Sequence, residues 1–239
     1  MTKRLITFSL WGDSPKYTVG ALKNARLASE IFPEWICRFH VGSSTPSDVI
    51  DALSRCSNVE VVKFAEPGDW QSLAWRFLAA ADESVEVMIS RDTDSRLGRR
   101  ERAAVDEWLA SDKLFHVMRD HPYHRKWPIL GGMWGVRGGL LKNIEALLEA
   151  GFRHRFDEYK WGSDQIFLGH TVHPQVRSHT LVHDELSPVL EWDAMSERRR
   201  FPTPRVDYEF VGQVFDEEDW ELQEYVDVLI DHLEEGATK

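Results

Sequence analysis

Val85–Arg96 reads VEVMISRDTDSR, and the fold turns on how this stretch is read. Val85 to Ser90 favours extended structure, and the run stops at Asp92 and Asp94, separated by one threonine. A strand that delivers two carboxylates to its end is a place to hold a divalent cation. Hard cations prefer carboxylate oxygens, and Mg²⁺ takes one or two of them, filling its sphere with water and substrate phosphates. The competing reading is a solvated turn, because Asp and Ser also favour turns through local hydrogen bonds. The surrounding chain has to choose between these.

Outward toward the N-terminus, Arg4–Leu10 (RLITFSL) predicts a first, central strand closed by the turn cluster Trp-Gly-Asp-Ser-Pro. Ala21, Ala25, Ala28 and Phe32 recur at helical spacing over Tyr17–Phe32. A strand over Trp35–Val41, a helix over Asp48–Ser54, a strand over Val59–Phe64 and a helix over Trp70–Ala81 capped by Asp69 follow. Outward toward the C-terminus come a helix over Arg99–Ala110, a strand over Leu114–Met118 and the loop Arg119–Leu130 (RDHPYHRKWPIL). The glycine run Gly131–Gly135 follows, then a helix over Gly139–Ala150 that Gly151 ends. Ser163 is placed to cap a short helix carrying Asp164 and Gln165, and His179–Asp184 predicts a last strand. The segment to Pro204 reads as irregular and basic, and Asp216–Glu234 as an amphipathic helix. Alternating strands and helices predict an α/β fold: a central mixed, mostly parallel sheet flanked by helices. The aspartates then lie at the carboxyl end of a strand, where open α/β sheets bind ligands.

The 239 residues, 42% hydrophobic, suit one domain over 1–205 with an extension over 206–239. The net charge of −11 is a property of that extension: Val206–Thr238 holds twelve Asp or Glu and no Lys or Arg, and the remainder carries 29 basic against 28 acidic residues. A neutral body with an acidic tail excludes nucleic-acid wrapping, which needs a basic face. No apolar run reaches membrane-spanning length, so a soluble, cytoplasmic protein without a transmembrane segment is expected. Cys37 and Cys56 have no metal-type spacing and read as reduced thiols. The tail helix is expected to pack on the body or to form a homodimer.

Several constellations compete with the aspartates. His121 and His124 sit close enough to begin a zinc site, but no further ligands are specified, and lining a cleft suits them better. The histidines and serines do not make a hydrolase, since no Gly-x-Ser-x-Gly elbow is present. Trp11, Trp127, Trp134 and Trp161 stand in loops or beside glycines, where rings suit the flat faces of a sugar or base. Arg76, Arg91, Arg96, Arg125 and Lys126 are the basic candidates for a diphosphate.

Taken together these segments resemble a glycosyltransferase of the GT-A fold, in which a D-x-D motif after a central strand holds Mn²⁺ or Mg²⁺ against the diphosphate of a nucleotide sugar. ITFSLWG resembles the first strand and its nucleotide-binding loop, Trp75-Arg76-Phe77 the arginine-bearing helix, and RDTDSR the motif itself. RDTDSR, RDHPYH, ILGGMWG and WGSDQ also resemble a bacterial group of GT-A-like proteins. The resemblance implies that Asp94 ligates the metal and that Asp92 contacts the metal or the ribose. It implies donor contacts from Ser9, Trp11, Tyr17, Arg76 and Arg91, with Gly131, Gly132 and Trp134 along the donor sugar. Asp164-Gln165 resembles the pair beside the donor sugar in glycogenin-like retaining transferases, and His183 would be the third metal ligand. The His-Phe-x-Gly pattern of those enzymes is absent, so retention and inversion both stay open. An inverting enzyme would take its base from Asp164, Asp120 or His121. The implied activity is transfer from a UDP- or GDP-sugar to a hydroxyl acceptor. The alternatives are a nucleotide- or sugar-binding protein on the same scaffold and a phosphotransferase with Asp92 as nucleophile.

Overall fold

The computed structural model describes residues 2–154 and 162–237, and Trp161 lies outside them. Among the described residues eight strands form one sheet: β1 Lys3–Leu10, β2 Ile36–Val41, β3 Val59–Lys63, β4 Val85–Ser90, β5 Phe115–Arg119, β6 Trp134–Arg137, β7 Thr180–Asp184 and β8 Glu197–Arg199. Their order is β3-β2-β1-β4-β6-β5-β7-β8. Only β6 runs against its neighbours, pairing antiparallel with both β4 and β5. The mostly parallel α/β sheet is the expected class.

Each face of the sheet has its own core. On one face Ile6, Phe8, Val87 and Ile89 pack against Ala21, Ala25, Ala28 and Phe32 of α1 (Pro15–Ile31), Leu53 of α2 (Ser47–Ser54) and Val105 and Trp108 of α3 (Arg99–Ala110). On the other, Leu5, Met88, Val117, Trp134 and Val182 meet Phe77 of a 3-10 helix (Trp70–Ala81), Ile144 and Leu148 of α4 (Ile144–His154) and Phe167 of α5 (Ser163–Phe167). The period of two along a strand makes this sorting: Val87 and Ile89 face one layer, Met88 and Ser90 the other.

Several elements differ from expectation. Trp70–Ala81 winds as a 3-10 helix, although such runs are usually short. The Ser9 hydroxyl is inserted in its ladder, donating to Leu73 O at 3.1 Å and accepting from Arg76 N at 3.0 Å. The helix expected from Gly139 begins instead at Ile144, because Gly139 adopts φ +97° in a turn, and it runs past Gly151 to His154. Gly162, at φ +80°, is the N-cap expected of Ser163. The irregular basic segment supplies the parallel edge strand β8. The tail helix begins at Gln223 rather than Asp216, since the Asp216 carboxylate takes the N–H groups of Glu218 (3.0 Å) and Trp220 (2.8 Å) and folds a turn there.

Candidate functional site

The chain leaves β1 toward β2 and β3, then returns to the other side of β1 as β4. The switch point between β1 and β4 is where an open α/β sheet leaves a crevice beyond its strand ends. The D-x-D loop stands there, and its backbone is held from below by α1. Asn24, fully buried, donates to Ser95 O at 2.8 Å and Thr93 O at 3.4 Å and accepts from Leu97 N at 3.0 Å. Gly20 lets the helix touch the loop, since a Cβ there would overlap the Thr93 carbonyl. Neither residue was singled out from sequence. The available signals were a polar residue three positions after Ala21, on the buried stripe, and a glycine inside a helix.

Strand alternation then assigns the side chains. Ser90 and Asp92 face the 3-10 helix, where Arg76, 2% exposed, donates through Nη1 to Asp92 Oδ1 and through Nη2 to Asp164 Oδ2 at 3.2 Å. Gly131 and Gly132 cover this trio. A Cβ on Gly131 would strike the Asp164 carboxylate and the Arg76 guanidinium, and one on Gly132 the Asp92 carboxylate. On the α1 side, Lys16 Nζ stands 3.0 Å from Asp94 Oδ2. Tyr17 lies beside the pair, 39% exposed. Among the described residues, three carboxylates therefore share two cations.

The electrostatics follow from that shortage. Burial and the charge of Asp92 raise the Asp94 carboxyl above the usual aspartate range, and Lys16 only partly offsets them. Asp164 is raised too, chiefly by burial and also by Asp92, against the pull of Arg76. The Tyr17 hydroxyl is raised by burial and by both nearby aspartates. For Lys16, burial works downward but the Asp94 charge and hydrogen bond outweigh it, so its ammonium is held above the ordinary value.

Other residues named from sequence have different surroundings. Arg91 points to the opposite face, as the residue after Ser90 must. Buried to 2% exposure, it donates to Glu101 of α3, to Ser90 O at 2.6 Å and to Trp134 O at 3.1 Å, so a diphosphate cannot reach it. Trp134 is a core residue, stacked on Phe115 and edge-on to Phe77, rather than a sugar platform. His183 is fully buried under α3, with Nδ1 2.7 Å from His116 Nε2 and Nε2 3.0 Å from Glu107 Oε2, so both ring nitrogens are occupied away from the aspartates. Asp120 is enclosed by Arg100, Arg205 and Val211 N, which leaves it no freedom to act as a base. His121 bonds Tyr225 O at 2.8 Å and accepts from Tyr123 N at 3.1 Å. His124 accepts from Asp120 N at 3.2 Å and sits in the protein interior, not in a zinc site. Ser9 acts on the backbone that carries Arg76, and Trp11 packs against Gly42 and Gly68 at the end of β1. The Gln165 amide, oriented to satisfy both acceptors, donates to Gly162 O at 3.2 Å and Asp164 Oδ1 at 2.9 Å.

The C-terminal extension reaches the same loop. Phe215 N donates to Asp94 O at 2.8 Å, Val214 pairs with Ser95, and Asp219 binds Arg96 at 2.8 Å and also Lys23. Arg96 thereby covers the Phe215 ring, its guanidinium 4.9 Å from the centroid. That basic candidate belongs to the strap rather than to a diphosphate.

Asp92 and Asp94 fit a hard divalent cation in their chemistry: two carboxylates from one loop, one of them half-buried and under-compensated. Among the described residues no third His, Cys, Asp or Glu completes a ligand cluster. Such a cation would take its remaining ligands from phosphate and water, as Mg²⁺ commonly does.

No family model matches this chain, and no curated protein matches it in sequence. Solved structures do match in fold. One is a glycosyltransferase involved in the glycosylation of the major capsid of PBCV-1, with TM-score 0.51 and 15% identity over 76% of this chain and 81% of that one. Another is S. aureus TarS 1-349, with TM-score 0.50 and 14% identity over 78% of this chain and 59% of that one. The fold is that of the GT-A glycosyltransferases. Among the described residues no helix is long and apolar enough to cross a membrane.

Proposed function

We propose that this chain is a nucleotide-sugar-dependent glycosyltransferase with its donor site at the β1–β4 switch point. The observation that carries the reading is the convergence of Asp92, Asp94 and Asp164 with Arg76 and Lys16 at that crevice. Asp92 and Asp94 would hold Mn²⁺ or Mg²⁺, which when bound supplies positive charge to the departing nucleoside diphosphate. Arg76, pinned between Asp92 and Asp164, orients both carboxylates and adds fixed positive charge beside the same leaving group. Gly131 and Gly132 leave room for these three side chains where a Cβ would displace them. Asp164 is the best-placed proton acceptor for an acceptor hydroxyl: burial raises its carboxyl above the usual aspartate range, and it shares Arg76 with Asp92. In that step the acceptor oxygen bonds the anomeric carbon, the bond to the diphosphate breaks, and the hydroxyl proton passes to Asp164. The body over 1–205 would be the catalytic unit, with the extension over 206–239 walling one side of the site through Phe215 and Asp219.

Isothermal titration calorimetry with UDP and GDP, with and without Mn²⁺, tests the reading. Binding of one nucleotide should require Mn²⁺ and be lost in Asp94→Ala. Nucleotide binding indifferent to both metal and substitution would overturn it. Slow hydrolysis of the matching nucleotide sugar without acceptor would mark an enzyme rather than a binding protein.

A further inference from the structure

Lys16 is out of place by the usual rules of helix termini. It occupies the first turn of α1, right after Pro15, where the helix dipole favours anions and disfavours an ammonium. That first turn contains no acidic residue to balance it. Its compensation comes from elsewhere in the sequence: Asp94 Oδ2, 3.0 Å away on the D-x-D loop. The pair is largely shielded, with side chains 28% and 18% exposed for Lys16 and Asp94. Asp94, the carboxylate best suited to a metal, thus has a cation of its own.

We propose that Lys16 is the resident counter-ion of Asp94, which an incoming divalent cation must displace. The inference rests on Asp92 and Asp94 being the cation site. Three features of the site support it. The aspartate's backbone is fixed on both sides, by Asn24 at Thr93 O and Ser95 O and by Phe215 at Asp94 O, so exchange has to occur at the side chain. Lysine has a flexible stem and a compact head, so it can withdraw without moving α1, whereas Arg76 is locked by two carboxylates. Finally, among the described residues Lys16 and Arg76 leave the three carboxylates one positive charge short, and a divalent cation in the place of Lys16 makes up the difference. The displaced ammonium would remain at the start of α1, where helix N–H groups and the dipole also attract phosphate.

Two measurements test this. The first needs no metal: a double-mutant cycle of Lys16→Met and Asp94→Asn read by thermal unfolding. The pair predicts non-additivity, with the double variant less perturbed than the sum of the singles. Additive shifts would show that the pair does not exist, and the proposal would fall. The second is Mn²⁺ affinity from the electron paramagnetic resonance of free Mn²⁺. Lys16→Met should bind Mn²⁺ about tenfold tighter than the wild type, a coupling of ordinary size for competing ligands, while Lys16→Arg stays at or below wild-type affinity. If Asp94→Asn abolishes Mn²⁺ binding but Lys16→Met leaves it unchanged or weaker, displacement is wrong and the cation site stands. If neither wild type nor Lys16→Met binds Mn²⁺, the cation site itself is wrong and displacement goes with it.

Discussion

Two clusters of aspartates and basic residues lie on this one sheet, and they have opposite fates. Around the end of β5 and β7, Asp120, Asp184, Glu185 and Asp193 are met by Arg100, Arg119, Arg125, Arg198 and Arg205. Asp120 has Arg100 on both oxygens, Arg205 on one and a backbone N–H on the other. Asp193 is held by Arg119 in a two-point contact at 2.6 and 3.1 Å. At the end of β1 and β4, three carboxylates share two cations among the described residues, and Asp92 keeps a side-chain exposure of 42%. The lesson is that a carboxylate met by two donors on each oxygen, as Asp120 is, is architecture, whereas one left short of positive charge is available to a ligand. Asp120, His121 and His183 read as reactive groups in sequence, yet each has its own side-chain polar atoms bonded within the fold.

The sharpest way to break this contrast is Asp120→Asn. It leaves two arginines facing a neutral amide in the interior and should cost about 3–5 kcal/mol of stability in urea denaturation. Metal and nucleotide affinity of the folded protein should be unchanged. A variant that keeps its stability but loses nucleotide binding would move Asp120 into the site.

The two regions should also answer acid with opposite signs. Burial depresses His124, which serves the Asp120 backbone, to about 3, and likewise His40, in the core, to about 4. Each binds fewer protons folded than unfolded, so the stability it gives is complete above pH 6.5. That stability is lost as pH falls from 6.5 toward about 4 for His40 and about 3 for His124. Asp94 and Asp164 are raised above 3.8, so their contribution is fully present below pH 3.8 and disappears as pH rises through their folded values. With each pKa unit worth about 1.4 kcal/mol, the histidines should dominate, and denaturation midpoints should drop from pH 7 to pH 4. His124→Asn, whose amide oxygen can replace Nδ1, should flatten that drop. An undiminished slope would place the acid sensitivity elsewhere.

Gly132→Ala should have a smaller effect on stability, about 1–3 kcal/mol as for other overpacked sites, because the new methyl displaces the Asp92 carboxylate. It should weaken Mn²⁺ binding more than it lowers the melting temperature. The reverse ranking would make the glycine pair a packing feature only.

Much of the fold was legible because it rests on local periodicity. β4 and α3 have the bounds expected from Val85–Ser90 and Arg99–Ala110, and Asp69 caps the following helix with the Ser72 side chain returning the bond. The misreadings have physical causes. β8 depends on its pairing with β7, and the late start of the tail helix on the Asp216 turn, which follows directly on the contacts of Val214 and Phe215 with the Asp94–Ser95 loop. The direction of Arg91 was within reach of strand alternation, since it continues the side of Val87 and Ile89 and faces Glu101. Trp134 likewise follows its strand into the core.

The sequence by itself determined the alternation of strands and helices and the delivery of Asp92 and Asp94 to a strand end, because hydrophobic period and turn chemistry act over a few residues. Which carboxylates are left short of positive charge was decided only by the tertiary structure. Lys16 meets Asp94 across 78 positions of chain and Arg76 meets Asp164 across 88. Coulomb interactions depend on separation in space and on burial, and neither is written along the chain.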